Sequence, residues 1–436
     1  MSETLWYVGG IVFVALGIGI SIGLHELGHL WPAKTFGVKV PTYAIGFGPT
    51  LFKFQRGETT YAIKLIPLGG YITMIGMYPP GKKPLKSKSG FFADMILSAR
   101  NAHSEHVTEA DKNRMFYQLP VWKRMIIMFG GPFMNLVLGT LLMVAVLVGI
   151  GTQQQSNAIA EVSPCVIVNP TVQKDCTSAE AKSPALIAGL QAQDRIEAIN
   201  GIKFENWNTV SQELTVGKPA SLQILRDGSP VQIEITPVAA LRATTDSNGQ
   251  IVVNEKGEPV LKERAVLGII FDVERKPETV TAALAKSAWG VGQVGQMILT
   301  LPQQLTDVAI STFTGQERNP NGAVSVVGIA QISGTVASAE AVDFVDKLAT
   351  GLLILASLNF ALFGFNMLPL LPLDGGHIAG GVYESLKRAA FKLLRKPAPG
   401  PADTALLMPV TWVVFIVLMA MSALLILADL VNPISI

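Results

Sequence analysis

Four long apolar segments constrain what this chain can fold into more than any other feature of its sequence. They cover about residues 5–24, 125–151, 348–370 and 406–427. Each reaches the roughly 20 residues that a helix needs to cross a bilayer. Only 15% of the residues are charged and 49% are hydrophobic, a balance too apolar for a soluble globular protein. The sequence therefore predicts a membrane protein with four transmembrane helices.

We expect the first segment to be a retained span and not a cleaved signal peptide. A signal peptide begins with basic residues and ends at a small-residue cleavage site. Here the only early charge is Glu3, and the apolar run leads directly into the sequence HELGH.

Basic residues predict the side of the membrane on which each loop lies. Between positions 34 and 124 the chain has 14 lysines and arginines but 5 aspartates and glutamates. The connection between the third and fourth spans, residues 381–405, is also basic. Because basic loops stay in the cytoplasm, we expect both loops there, with both termini and residues 152–345 outside. The formal net charge of +2 gives no indication of a nucleic-acid partner.

Stretches outside the spans predict β-structure and a separate domain. Residues 38–75 alternate short β-like runs with glycines that would close hairpins. Residues 152–275 predict a soluble domain, in which Asn200-Gly201 and Asp227-Gly228 mark hairpin turns. Residues 276–345 contain apolar helical stretches broken by glycine and proline, which we expect outside or on the membrane surface.

The sequence HELGH, residues 25–29, predicts a metal site. His25 and His29 are four positions apart, so on a helix they differ by only about 40° and share one face. Two neutral imidazoles can hold zinc, and Glu26 can accept a proton from the attacking water. The alternative is a set of polar residues that merely decorate a helix end. Ionisable groups that directly continue a charge-free span are costly at that depth and are usually functional.

A catalytic zinc site takes a third protein ligand, and Asp374 is the best candidate. The extension that would supply a third histidine is absent, because Pro32 and Thr35 stand at its Gly and His positions. Asp374 follows Pro369 and Pro372, which interrupt the third span. Asp-Gly also favours ordinary turns, which is the alternative. Because the first and third spans run in the same direction, HELGH and Asp374 fall at matching depth, and this favours a ligand.

HELGH after a first span, together with NMLPLLPLDGGH (residues 366–377) at the end of a later one, resembles the site-2 protease family of intramembrane metalloproteases. The likeness covers almost the whole chain. It is strongest to bacterial members of the regulator-of-sigma-E and actinobacterial type, with four spans and an extracytoplasmic PDZ region. It implies one zinc ion per chain, held by His25, His29 and Asp374, with Glu26 as the catalytic glutamate.

Further motifs match the pattern of that family. GFGP resembles a loop that dips toward the active site, PLGGY resembles a sheet that receives substrate in extended form, and GGPFMN resembles an element that begins the second span. The resemblance implies substrate-binding or stabilising roles for Gly46, Phe47, Gly48, Gly69, Gly70, Asn135 and Asn366. Capping of a broken helix is the equal alternative for Asn366. Close helix packing is the alternative for the glycines of GGPFMN.

The external region resembles a PDZ domain. SPALIAGLQAQDRIEAING, residues 183–201, matches a PDZ core, with Gln193 where the family usually has glycine. Residues 267–270 are the candidate backbone nest for a bound chain end. Cys165 and Cys176 lie in this region, and a local disulfide is favoured outside the membrane.

The expected fold is a polytopic α-helical membrane protein with four transmembrane helices, a membrane-associated β-hairpin sheet and one extracytoplasmic PDZ-like α+β domain. The expected divisions are 1–78, the first transmembrane helix with HELGH and the hairpin region; 79–121, a cytoplasmic linker; 122–151, the second transmembrane helix; 152–275, the PDZ-like domain; 276–345, an extracytoplasmic or membrane-surface segment; 346–380, the third transmembrane helix with the LDG motif; 381–405, a cytoplasmic loop; and 406–430, the fourth transmembrane helix.

We expect an intramembrane zinc endopeptidase of the bacterial cell membrane, with its active site toward the cytoplasm. The resemblance implies two partners: the lipid bilayer, and single-span transmembrane substrates of the anti-sigma factor type that another protease has already trimmed outside. A non-catalytic membrane receptor or scaffold that uses the PDZ region is the alternative, but it leaves HELGH without a purpose. A metal transporter would need polar residues through both halves of the membrane, and none lines up outside the two motifs.

Overall fold

The computed structural model describes residues 3–80, 91–102, 108–170, 176, 182–244, 252, 259–319, 322–397 and 399–434. The chain divides into two compact units. The helical unit comprises Met1–Ile150 and Glu278–Ile436, and the sheet unit comprises Gly151–Pro277.

The helices, in chain order, are α1 Glu3–Thr35, α2 Phe91–Ala102, α3 Val121–Val144, α4 Pro184–Ile187, α5 Trp207–Val210, α6 Val280–Thr314, α7 Val326–Ser338, α8 Phe344–Asn366, α9 Asp374–Leu393 and α10 Met408–Val431. The strands are β1 Thr42–Arg56, β2 Thr59–Thr73, β3 Thr152–Val162, β4 Arg195–Ile199, β5 Ile202–Lys203, β6 Ala220–Arg226, β7 Ser229–Ile235, β8 Val238–Ala243, β9 Leu261–Val266 and β10 Ile269–Lys276.

Among the described residues of the helical unit, four helices are long and apolar enough to cross a membrane, as the sequence predicts. They cover Glu3–Thr35, Val121–Ile150, Phe344–Asn366 and Thr404–Val431. At most 28% of the residues in their most apolar windows are buried within the protein. Most of this apolar surface is therefore left for lipid tails, as expected of a multi-pass membrane protein.

The third span ends earlier than the sequence predicts. We predicted an apolar span to about residue 370, within a segment 346–380 interrupted at the two prolines, whereas α8 ends at Asn366 and α9 begins only at Asp374. Pro369 and Pro372 lie in the connection, and because proline lacks an amide hydrogen, a helix cannot continue through it undisturbed. The LDG motif therefore lies at the start of a new helix.

Glycines allow α1 and α3 to approach each other closely. A Cβ atom built on Gly28 would collide with the carbonyl of Gly130, and one built on Gly130 would collide with the carbonyl of Gly28. Small residues at a helix crossing let the two backbones meet. This contact supports the packing alternative for the glycines of GGPFMN, and it holds the HELGH turn of α1 against α3.

The β1–β2 hairpin is a bent sheet whose long strands pair twice. Residues 52–56 pair with 59–63. The second of these segments also pairs with 42–45, and 42–45 pair with 70–73 on their other side. Gly46, Gly48 and Gly69 have positive φ angles and lie inside the strands, where they permit the bends that we predicted as turns. Among the described strands, segment 70–73 pairs on one side only.

Residues 276–345 are more regular than the sequence predicts. A single helix, α6, runs for 35 residues, and α7 follows it. Val294 and Ile298 of α6 lie against Gly364 of α8, and Val308 packs with the end of α10. The segment is therefore packed along the spans within the helical unit.

The sheet unit has its own hydrophobic core beneath an antiparallel sheet. The strand order is β10-β3-β4-β6-β7, with β5 paired to β4, and β8 and β9 form a separate ribbon. Asn200-Gly201 and Asp227-Gly228 form tight turns in which all four residues have positive φ, as the hairpin prediction requires. Gln193, which replaces the expected glycine, keeps the positive φ of that position at 74°.

A disulfide and an ion pair stabilise the sheet unit. Cys165 and Cys176 form a disulfide, the pairing favoured by the sequence. Asp194 is buried, and burial alone would raise its pKa, but two hydrogen bonds from Arg226 and one from the Gln191 amide outweigh this and lower its pKa.

Candidate metal centre

The HELGH turn lies near the end of α1, on the side that faces α3. Glu26 and His29 are 8% and 5% exposed, and the side chain of His25 is 12% exposed. The four-residue spacing places both imidazoles on one helix face. The helix geometry therefore places two nitrogen donors side by side inside the membrane-spanning region.

Asp374 reaches the same place from the other end of the chain. It is the first residue of α9, and two glycines after it allow the preceding loop to fold back tightly. A Cβ atom on Gly375 would overlap the backbone of Met367 and Leu368, and one on Gly376 would lie 2.6 Å from the Leu371 nitrogen. Packing therefore requires the two glycines of LDGG, independently of any chemical role of the Asp374 carboxylate.

Three donor atoms converge at this point. His25 Nε2 lies 3.2 Å from His29 Nε2, and Asp374 Oδ2 lies 3.3 Å from His25 Nε2 and 3.4 Å from His29 Nε2. Ligand atoms around a tetrahedral zinc, at roughly 2.0–2.2 Å from the ion, are about 3.3 Å apart. Asp374 Oδ2 is also buried without a hydrogen-bond donor among the described residues. The donor set fits a zinc ion.

Neighbouring groups orient both imidazoles. His29 Nδ1 lies 2.7 Å from the carbonyl oxygen of Ile127. A carbonyl can only accept, so Nδ1 carries the proton and Nε2 keeps its lone pair. The side-chain nitrogen Nδ2 of Asn135 lies 3.1 Å from His25 Nδ1, and Asn135 Oδ1 is buried without a hydrogen-bond partner among the described residues. A flip of this amide would place Oδ1 against an Nδ1–H of His25, the tautomer that leaves Nε2 free for a metal. Asn135 is 0% exposed, so it contacts His25 from inside the protein.

Gly131 leaves the space in which the donor atoms meet, and the sequence analysis did not single it out. A Cβ atom built on Gly131 would lie 2.7 Å from His25 Nε2 and closer still to His29 Nε2. The signal in the sequence was the Gly-Gly-Pro of GGPFMN, but it did not show which of the two glycines faces the histidines. Gly130 packs on Gly28, and Gly131 faces the site.

The free edge of the β1–β2 sheet adjoins Glu26. A Cβ atom on Gly70 would lie 2.9 Å from the Glu26 side chain, and the backbone amide of Ile72 lies near the Glu26 carboxylate. The carboxylate lies within electrostatic range of both imidazoles and Asp374. Glu26 therefore lies between the three donor atoms and the unpaired strand edge.

Several other sequence-predicted residues make contacts with their own neighbours. Phe47 stacks on Tyr71, and a Cβ atom on Gly69 would collide with the Phe47 ring. Gly46 lies against the carbonyl of Ile66, in the bend of β1. Asn366 donates to the Leu362 carbonyl of its own helix, at 3.0 Å.

Other ionisable groups near the motifs have partners of their own. Glu58, the nearest carboxylate downstream of HELGH, forms a bidentate pair with Arg114 at 2.7 and 2.8 Å. The ring of His377 lies 6.5 Å from that of Tyr78, between centroids. Among the described residues, the group able to hold a metal consists of His25, His29 and Asp374.

The sheet unit contains a separate cavity of about 1270 Å³. It lies between strand β10 and the helical turn that begins at Trp207, and Gly268, with a φ of 79°, lies at one end. Among the described strands β10 pairs only with β3, so its other edge is open. An open strand edge beside a helix is a geometry that accepts an extended peptide.

Comparison with known proteins identifies the family. The model described as Peptidase family M50 matches residues 13–396. The chain is 31% identical to the zinc metalloprotease Rip1 of Mycolicibacterium smegmatis, over 98% of each chain, and 29% identical to Rip1 of Mycobacterium tuberculosis, over 99% of each. It is 25% identical to the metalloprotease MmpA of Caulobacter vibrioides, over 91% of this chain and 92% of that one.

These matches confirm the family that the paired motifs predict. The names of the relatives agree with the expected class, a zinc metallopeptidase. The matched residues 13–396 include HELGH, the LDG motif, most of the first span and all of the second and third. The chain therefore belongs to peptidase family M50, the site-2 protease family.

Proposed function

We propose that this protein is an intramembrane zinc endopeptidase in which His25, His29 and Asp374 hold the metal and Glu26 is the catalytic base. The observation that carries the proposal is the triangle of donor atoms, 3.2–3.4 Å on each side, beside a buried glutamate in a membrane-spanning region. Ordinary packing gives no reason for two histidines, an aspartate and a glutamate to converge there.

The residues around the donor atoms divide the chemistry among them. When bound, zinc polarises the scissile carbonyl and acidifies water. Glu26 accepts a proton from the attacking water and delivers it to the leaving amine nitrogen. The Ile72 amide lies near the Glu26 carboxylate and is placed to hold it toward the donor atoms. The Ile127 carbonyl keeps His29 in the tautomer that presents Nε2, and Asn135, with its amide flipped so that Oδ1 accepts from Nδ1, does the same for His25.

The substrate binds in extended form along segment 70–73. A helix hides its peptide bonds, so a transmembrane segment has to unwind before it can be cut, and an open strand edge holds it by backbone pairing. Substrates are single-span membrane proteins of the anti-sigma factor type, trimmed beforehand outside the membrane. The family resemblance supports this choice, together with the position of the strand edge beside Glu26.

The sheet unit is a PDZ-like module outside the membrane that excludes untrimmed substrates. Its open β10 edge, the adjacent cavity and the positive φ of Gly268 support peptide capture. The basic loops support an orientation with the metal centre toward the cytoplasm and the sheet unit outside.

A Glu26→Gln variant tests the catalytic assignment. The amide keeps the shape of the side chain but cannot accept the proton, so we expect zinc content to remain near one per chain. Cleavage of a single-span peptide in detergent or vesicles should fall by roughly 10²–10⁴-fold. Undiminished cleavage would refute the role of Glu26. A wild-type chain that purifies without zinc and binds none would favour the scaffold alternative.

A further inference from the structure

The end of α9 that is farthest from Asp374 projects from the helical unit. Residues 382–396, which we call the α9 tail, are exposed in the structure except for buried Glu384 and half-buried Phe391. Leu386, Leu393 and Leu394 are 66%, 85% and 61% exposed. Three leucines with that much exposure on one short helix indicate a surface that is covered by something outside the described protein.

The apolar and basic side chains of the α9 tail lie on different faces. At about 100° per residue, its exposed large apolar residues and one alanine share an arc of about 120°, and half-buried Phe391 lies outside it. They are Val382, Tyr383, Leu386, Ala390, Leu393 and Leu394. Arg388 and Lys392 lie opposite, Lys387 lies at the border, and Arg395 and Lys396 follow where the helix ends. A helix of this type, with a basic polar face, lies in the plane of a membrane surface.

The exposed charge of the tail is entirely positive. Glu384 is the only acidic residue between positions 375 and 402, and it is 1% exposed. It is bonded to Arg124 and Arg388, each at 2.7 Å. The five basic residues of the tail therefore face solvent with no exposed acid among them, which complements anionic phosphate groups.

The position of α9 in the chain keeps the tail at the membrane. α9 connects the third span, which ends at Asn366, to the fourth, which begins at Thr404. Both ends of the connection are thus fixed at one face of the bilayer, whichever face that is. The apolar arc needs to move no farther than the headgroup region to be buried.

We propose that the α9 tail is an in-plane membrane helix that binds anionic phospholipid. Its apolar arc lies at the boundary between headgroups and acyl chains, and its basic side chains contact lipid phosphates. Because α9 begins at Asp374, this contact also fixes the helix that carries one donor atom of the metal centre. The proposal rests on the spans and not on the peptidase activity.

Single-cysteine labelling of the full chain tests the proposal. Cys165 and Cys176 are joined in a disulfide, so Leu393→Cys supplies a reactive thiol on the apolar arc, and Ser385→Cys supplies one on the polar side. The chains are placed in vesicles of phosphatidylcholine alone or with phosphatidylglycerol, and labelled with a water-soluble maleimide. We expect phosphatidylglycerol to slow labelling of Leu393→Cys by on the order of tenfold, because basic residues near an anionic surface bind it strongly. Ser385→Cys should label equally in both.

A charge variant and a matched control complete the test. Lys387→Gln, Lys392→Gln, Arg395→Gln and Lys396→Gln together should abolish the protection by phosphatidylglycerol; Arg388 is left intact because it bonds Glu384. Removing four charges from the sheet unit, by changing Arg195, Lys203, Lys218 and Lys262 to Gln, should leave the protection unchanged. Equal labelling of Leu393→Cys in both vesicle types overturns the proposal.

Discussion

At the scale of single residues, the metal centre depends on the absence of a side chain at Gly131 as much as on the side chains that supply its donor atoms. Gly131 provides the space where the donor atoms of His25 and His29 meet. Because α1 and α3 are held together at Gly28 and Gly130, neither helix can move away to admit a methyl group. A change at Gly131 should therefore act on the metal before it acts on the fold.

We predict that Gly131→Ala abolishes or strongly reduces zinc binding. The new methyl group would lie 2.7 Å from His25 Nε2, well inside contact distance, and would displace the imidazoles from the geometry that zinc needs. Metal analysis of the purified chain measures this effect. Gly149→Ala is the matched control, because a Cβ atom there meets nothing within 4 Å. Normal zinc content in the Gly131 variant would show that the donor atoms do not meet at this glycine.

Asn135 gives a second prediction at this scale. It is buried against His25, so we expect it to position that ligand and not to touch substrate. Asn135→Leu should weaken zinc affinity by roughly 10–100-fold, as losses of such supporting hydrogen bonds do. Asn135→Asp keeps an oxygen acceptor and should retain most of the affinity. A competition titration with a chelator distinguishes the two, and equal affinities would contradict the positioning role.

At the scale of elements, the bent β1–β2 hairpin places a strand edge beside Glu26, the proposed catalytic residue. Its strand order places segment 70–73 at an edge, and packing places that edge beside Glu26. The glycine-rich sequence predicted a hairpin, because turns and alternation are local signals. It did not predict which edge would be free or which helix that edge would meet, because both depend on pairings between distant residues.

We predict that Ile72→Pro lowers the cleavage rate about tenfold or more while zinc content stays normal. Proline removes the amide that lies near the Glu26 carboxylate and disturbs the strand edge, but it touches none of the three donor atoms. Initial rates with a transmembrane peptide, measured beside zinc content, test this. Ile72→Val retains the amide and serves as the control. An unimpaired proline variant would exclude segment 70–73 from the reaction.

At the scale of the whole molecule, the distribution of basic residues predicts a topology that cysteine labelling can test. Ser98 lies in α2, in the loop expected in the cytoplasm, and Asp227 lies in a hairpin turn of the sheet unit, expected outside. In intact cells, a membrane-impermeant maleimide should label Asp227→Cys and leave Ser98→Cys unlabelled until the cells are opened. The opposite pattern would invert the orientation, and labelling of both would contradict four spans.

The sequence by itself determined what depends on neighbouring residues. The apolar runs fixed the spans, the four-residue spacing placed His25 and His29 on one helix face, and Asp-Gly and Asn-Gly fixed two hairpin turns. Topology added that Asp374 should lie at the depth of the histidines, because both ends of a span are constrained by the bilayer.

Only the tertiary structure decided which distant groups meet. The approach of Asp374 to 3.3–3.4 Å from the two imidazoles, the open space at Gly131 and the strand edge beside Glu26 follow from how helices and strands pack on one another. Periodicity and residue spacing predict the geometry within one helix or strand, whereas these contacts join elements far apart in the chain. The physical reason is that close packing is a property of the assembled surfaces and not of any one of them.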